Sequence, residues 1–202
     1  LAAFRELSPQ HPRLLLVLAP RRPGRFDVVA AKLESAGIAF VRRSRLAADS
    51  PALPLPGVLL LDTIGELSSL FALPSVVFMG GSLAARGGHN ILEPAFFGRP
   101  VVAGPHMENF AAIAAEFEAG GGLERISEAG ELAGKVESLL GDAERRASVG
   151  ERARRLAESK RGATARAAAE LSALHRRAVP AFRPPFPVCP ALWLPAWLWH
   201  AG

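Results

Sequence analysis

Short runs that are apolar at every position recur along the chain, and most are followed by stretches in which apolar residues return every three or four positions. The first run, Leu14 to Leu18, is bounded by prolines. An unbroken apolar run suits a strand buried on both faces of a parallel sheet, because a half-exposed strand would alternate. Ile38 to Val41, Val58 to Leu61, Val76 to Met79, Val101 to Ala103 and, more weakly, Gly122 to Ile126 repeat the signal. Helical periodicity covers Phe26 to Ala36, Leu67 to Leu73, Ile91 to Phe97, Phe110 to Ala119 and Ala129 to Leu140. This alternation predicts an α/β domain with a doubly wound, mainly parallel, Rossmann-like sheet. Beyond Leu140 only helices are expected, at Ala143 to Ser159 and Ala163 to Ala178, with a break at Gly162.

The two ends differ from this body. Leu1 to Leu7 reads as the last turns of an amphipathic helix, without an initiator Met, a basic n-region or an apolar h-region, so no signal peptide is expected and the chain reads as a piece of a longer protein. Residues 1–178 are expected to form one domain with its C-terminal helices. Residues 179–202 read as a Pro- and Trp-rich linker or the start of a further domain, with all three tryptophans in the last ten residues. That tail is too short and too rich in proline to span a bilayer, which needs about twenty apolar residues.

Composition narrows the classes. With 50% hydrophobic and 21% charged residues, 202 residues are enough for a packed core. The single cysteine, Cys189, excludes an intramolecular disulfide framework and any Cys-rich metal site. Lys and Arg number 24 against 19 Asp and Glu, a net charge of +5, and only three of the basic residues are lysine. The arginine excess fits either a GC-rich genome or a polyanionic partner.

In an open parallel sheet, ligands bind beyond the C-terminal ends of the strands, where loops meet helix N-termini and free N–H groups favour anions. Four loops there have unusual composition: Pro20-Arg-Arg-Pro-Gly-Arg25, Asp62-Thr-Ile-Gly-Glu-Leu67, the glycine-rich segment Gly80 to Pro94, and Gly104-Pro-His-Met-Glu-Asn-Phe110. Four glycines in the third loop let backbone approach a ligand, and Asn90 is a suitable N-cap for a helix carrying Glu93 in its first turn. A carboxylate there can accept from the two hydroxyls of a ribose, or simply complement the helix dipole. Arginines at 21, 22 and 25 can grip a phosphate in bidentate fashion or form a solvated turn. His89 and His106 lack the spacing and carboxylate partners of a metal site, so no metal is expected. No phosphate-binding P-loop, no G-x-S-x-G elbow and no dinucleotide-binding turn of the right spacing is present.

Together, "PRRPGRF", "DTIGEL", "GGSLAARGGHNILEP" and "GPHMENF", in this order and spacing, resemble the C-terminal donor-binding domain of the Kdo (3-deoxy-D-manno-octulosonic acid) transferases of lipopolysaccharide synthesis, glycosyltransferases of GT-B fold. The resemblance covers Leu14 to Leu174, and Gly80 to Pro94 is its specific part. It implies transfer of Kdo from CMP-Kdo to a lipid A precursor, lipid IVA, without a metal or other cofactor, at the cytoplasmic face of the bacterial inner membrane with peripheral association, and with no nucleic acid partner. By position within the motifs it implies substrate contacts from Arg21, Arg25, Ile64, Gly65, Glu66, Gly80, Gly81, Ser82, Asn90, Glu93 and Asn109. The family usually has His and Glu where this chain has Arg22 and Gly24, and proline where it has Ile91, so Arg21 and Arg25 are favoured over Arg22. The family's acceptor site and catalytic carboxylate base lie in an N-terminal domain, so no catalytic residue is expected in this chain and the chain alone is not expected to catalyse transfer.

The sequence also fits other readings. One is a GT-B transferase or epimerase using a UDP-sugar. Another is a non-catalytic module for anionic surfaces, against which Arg145, Arg146, Arg152, Arg154 and Arg155 alternate with glutamates at spacings that suit ordinary surface pairs. The final "ALWLPAWLWHAG" faintly resembles the start of lipid A 4'-kinases, which suggests a fusion to such an enzyme.

Overall fold

The computed structural model describes residues 1–162 and 169–174. They fall in two compact units, Leu1–Lys160 and Arg161–Gly202; in the second, residues 169–174 are helical. The remainder of the helix expected at 163–178, and the Trp-rich tail, lie outside the described residues.

The first unit runs α1 (Ala2–Leu7), β1 (Leu15–Leu18), α2 (Phe26–Ser35), β2 (Phe40–Arg42), β3 (Gly57–Leu60), α3 (Leu67–Leu70), β4 (Val77–Phe78), α4 (Leu92–Phe96), β5 (Val101–Ala103), α5 (Ala111–Ala119), β6 (Leu123–Arg125), α6 (Glu131–Gly141) and α7 (Ala143–Ser159). Every strand pairing is parallel, as the alternation of strands and helices predicts. The strands fall into two three-stranded sheets, ordered β1-β3-β2 and β4-β5-β6. In register, Leu16 lies opposite Val58 and Val101 opposite Leu123.

Alternation along the central strand β5 explains its unbroken apolar sequence. Val101 and Ala103 pack with Ile91, Ala95, Ala114, Phe117, Ala153 and Ala157, while Val102 packs with Ile126, Leu139 and Val149. Successive side chains point to opposite faces, so an apolar core on both sides demands apolar residues throughout. Strand β3 is likewise buried at all four positions.

β1 departs from expectation. Leu14, Leu16 and Leu18 pack against Phe4, Leu33 and Val58, but Leu15 and Val17 are 38% and 37% exposed. β1 is the edge of its sheet, and Leu15 and Val17 on its second face line the gap between it and β4. α3 is also shorter than the periodicity suggested, ending at Leu70 with Leu73 exposed.

Arginines on the C-terminal helices are largely paired. Arg154 bonds Glu151 and Glu158 along α7, and Arg155 lies near Glu151, at the three- and four-residue spacings read from the sequence. Arg145 instead reaches Glu124 on β6 at 2.8 Å, where Lys135 of α6 also arrives at 3.0 Å. Burial pushes the Glu124 carboxyl up, but hydrogen bonds from Arg145 and Lys135 outweigh it and hold the group below its ordinary value. A carboxylate with a depressed folded-state pKa stabilises the fold above its unfolded-state value, about 4.3, and that contribution is lost as pH falls through the folded value. Thermal unfolding between pH 6 and pH 3 should therefore show a shallower acid loss in Glu124→Gln than in the parent. Equal slopes would remove this network from the acid response.

Candidate functional site

The loops after β1, β3 and β4 open on one cleft between the two sheets. Its volume, about 2220 Å³, exceeds the roughly 300–1,000 Å³ of a single small-ligand pocket, so only part of it is a ligand site. The interior is the apolar gap between the β1 and β4 edges, lined by Leu15, Val17, Val77 and Phe78, and the polar loops form the mouth.

Nine of the eleven residues picked from the sequence line this cleft: Arg21, Arg25, Ile64, Gly65, Gly80, Gly81, Asn90, Glu93 and Asn109. Gly65 and Gly81 have φ of +91° and +74°, a region only glycine adopts freely, which explains why both turns carry it. Ile64, beside Gly65, is 81% exposed and offers an apolar surface at the mouth.

Two of the eleven face elsewhere. Ser82 is fully buried; its Oγ donates to the Met79 carbonyl at 2.6 Å and accepts from the Gly104 N–H at 2.8 Å, and its own carbonyl accepts from the His106 N–H. It ties the glycine-rich loop to the loop after β5. Glu66 accepts from Arg43 Nη2 at 2.8 Å and from the Thr63 hydroxyl, fixing its own loop to the 3-10 turn Arg43–Arg45. Nearby, Asp62 accepts from the Ser44 N–H and hydroxyl. Burial raises its pKa, yet these bonds and Arg42 bring it below the ordinary value.

Asn90 and Glu93 meet at the start of α4, although Asn90 is not the N-cap expected from the sequence. Asn90 Oδ1 accepts from the Leu92 N–H at 3.1 Å, and its Nδ2 donates to Glu93 Oε1 at 3.3 Å, but the N-cap is Ile91. α4 has only five residues. Asn109 packs on the same loop, its backbone N–H donating to the Gly87 carbonyl and its Nδ2 to the Arg86 carbonyl.

The electrostatics of the mouth follow from what is unpaired. Arg21, Arg22, Arg25 and Arg86 stand in the loops of the mouth, and Arg13, ahead of β1, lines the cleft away from it, against one carboxylate, Glu93. Among the described residues none of these five arginines has an acidic partner, whereas Arg42, Arg43, Arg125, Arg145 and Arg154 are all in ion pairs. Uncompensated guanidinium groups around a concave surface focus positive potential and favour an anion. Elsewhere, among the described residues, no three His, Cys, Asp or Glu side chains converge as metal ligands, and no helix is long and apolar enough to cross a membrane.

His89 is the site residue that sequence reasoning set aside. Its Nδ1 lies 3.0 Å from Arg21 Nη1, and a Cβ on Gly81 would stand 3.4 Å from its Nε2. Burial lowers the pKa of His89 and the neighbouring Arg21 charge lowers it further, so both disfavour the protonated ring. Nothing in the sequence joins positions 21 and 89; only the folded loops do.

Parallel strands crossed over by helices, with a basic, glycine-lined cleft at the strands' C-terminal ends, have the architecture of the C-terminal domain of a GT-B glycosyltransferase. Comparison with known proteins makes this specific. The chain is 40% identical over 155 residues to the 3-deoxy-D-manno-octulosonic acid transferase of Bordetella pertussis, covering 77% of this chain and 36% of that protein. It is 40% identical over 169 residues to the enzyme of the same name from Haemophilus influenzae, covering 82% and 38%. The crystal structure of the C-terminal CMP-Kdo binding domain of WaaA from Acinetobacter baumannii matches with a TM-score of 0.65 and 26% identity, over 77% of this chain and 94% of that one. No family model matches. Over most of its length the chain is a homologue of the Kdo transferases, and it spans a little more than a third of the length of these relatives.

Proposed function

We propose that this chain is the donor-binding part of a Kdo transferase and holds CMP-Kdo in the mouth of the cleft, for transfer of Kdo to a lipid A precursor, lipid IVA, in lipopolysaccharide synthesis. The observation that carries this is the set of cleft arginines without acidic partners, next to Asn90 and Glu93 on a glycine-rich loop. CMP-Kdo has a single phosphate. Arg21 and Arg25 would grip its oxygens and offset the charge that develops on CMP as the bond to Kdo breaks, which is the largest contribution such a half-site can make. Glu93, steadied by Asn90, would accept from the ribose hydroxyls, and the Ile64-Gly65 turn would pack on the cytidine side.

The acceptor and the base that activates its hydroxyl belong, in this reading, to residues outside this chain. The whole enzyme would act at the cytoplasmic face of the inner membrane, bound peripherally. Calorimetric titration of the chain with CMP, UMP and UDP tests the proposal. Saturable binding of CMP in clear preference to UMP is expected. Equal or tighter binding of UDP would support a UDP-sugar enzyme, and affinity that collapses with salt and ignores the base would support an anionic-surface module.

A further inference from the structure

Arginine has no hydrogen-bond acceptor and stays protonated in proteins. A ring nitrogen 3.0 Å from Arg21 Nη1 must therefore present its lone pair, which makes His89 the neutral tautomer with its proton on Nε2. The contact crosses the cleft mouth: Arg21 follows β1 in one sheet, and His89 stands in the glycine-rich loop after β4 in the other. Arg21 makes no other hydrogen bond or ion pair among the described residues, so one guanidinium N–H is committed to His89 and four remain for an oxyanion. The charged groups that line the cleft with His89 are Arg22 and Arg25 from the β1 loop, Arg86 from its own loop, Arg13 ahead of β1, and Glu93 on α4. None of the arginines can replace His89 as acceptor, and Glu93 is engaged by Asn90.

We infer that His89 is a positioning residue: by accepting from Arg21 across the mouth it fixes an otherwise free arginine side chain where the phosphoryl group of a nucleoside monophosphate is received. The inference rests on the reading of the cleft as a nucleotide site. Holding the guanidinium in place before binding removes the rotamer entropy that an unrestrained arginine would lose on contact. It also ties the two sheets' loops together at the point where the ligand bridges them.

The test uses the full chain and CMP, with Arg21→Ala, His89→Leu, His89→Asn and the double variant Arg21→Ala/His89→Leu. Asparagine's Oδ1 takes the place of the imidazole Nδ1, so it keeps an acceptor without the ring. His89→Leu is expected to weaken CMP binding about tenfold, the factor expected from losing one ordered charged hydrogen bond. His89→Asn should restore most of that loss, and in the Arg21→Ala background His89→Leu should have no further effect. A full loss in that background would overturn the inference, since His89 would then act on the ligand directly; so would parent-like affinity in His89→Leu when Arg21→Ala is impaired. If Arg21→Ala binds CMP like the parent, the phosphate reading of Arg21 fails and the inference with it. A ligand-free measurement separates the two failures: the imidazole nitrogen shifts at pH 7 should show the proton of His89 on Nε2. A proton on Nδ1 overturns the Arg21 contact whatever CMP does.

Discussion

Glu93→Ala should weaken CMP binding by about 10- to 100-fold while leaving binding of 2'-deoxy-CMP much closer to the parent's. A hydrogen bond to a charged group contributes about 1.5–3 kcal/mol, and each 1.4 kcal/mol is a factor of ten. Loss of the carboxylate removes the hydrogen bonds from both ribose hydroxyls and loss of the 2'-hydroxyl removes one of them, so the two changes should be less than additive. Stability should change little, because Glu93 is exposed and its recorded partner is Asn90, in a 3.3 Å hydrogen bond. Calorimetry on both proteins with both nucleotides completes the cycle. Equal affinity of parent and variant for CMP would remove Glu93 from the site.

Gly150→Ala is expected to destabilise the first unit by about 3 kcal/mol, the upper part of the range for overpacking, and to lower Tm by on the order of 10 °C. This reverses the usual sign, because alanine in the middle of a helix is ordinarily favoured over glycine by roughly 0.5–1 kcal/mol. Gly150 is buried in α7, and a Cβ there would lie 2.1 Å from the Gly98 carbonyl oxygen and 2.9 Å from its carbon. Both partners are backbone, so relief requires moving α7 away from the turn after α4, where Ala153 and Ala157 share a core with Ile91 and Ala95. A melting temperature equal to or above the parent's would mean that α7 does not approach Gly98 in this way.

The parallel strand and helix order was legible because burial on two faces leaves an unbroken apolar signature, clearest at β3 and β5. It misled at β1, whose run looks like that of a central strand. Local spacing exposes composition but not which edge a strand presents, and Leu15 and Val17 face the cleft. The same limit applies at the site. A motif puts a residue near a ligand without saying where its side chain points, so it groups Ser82 and Glu66 with Gly81 and Asn90 although their side chains hold loops together. Pairs within one helix, such as Arg154 with Glu151, could be read from spacing. Arg145 with Glu124 and Arg21 with His89 could not, being 21 and 68 residues apart.

If this chain is a donor-binding domain, the cleft mouth receives a cytidine monophosphate between the loops after β1, β3 and β4. Titrating CMP into the isotopically labelled chain and following backbone amide resonances tests it most directly. The largest shifts should fall on Arg21, Gly65, Gly80, Gly81, Asn90 and Glu93 together, with smaller changes from UMP at equal concentration. Shifts confined to the arginine-rich face of α7, around Arg152 and Arg155, with these six amides unmoved, would contradict it.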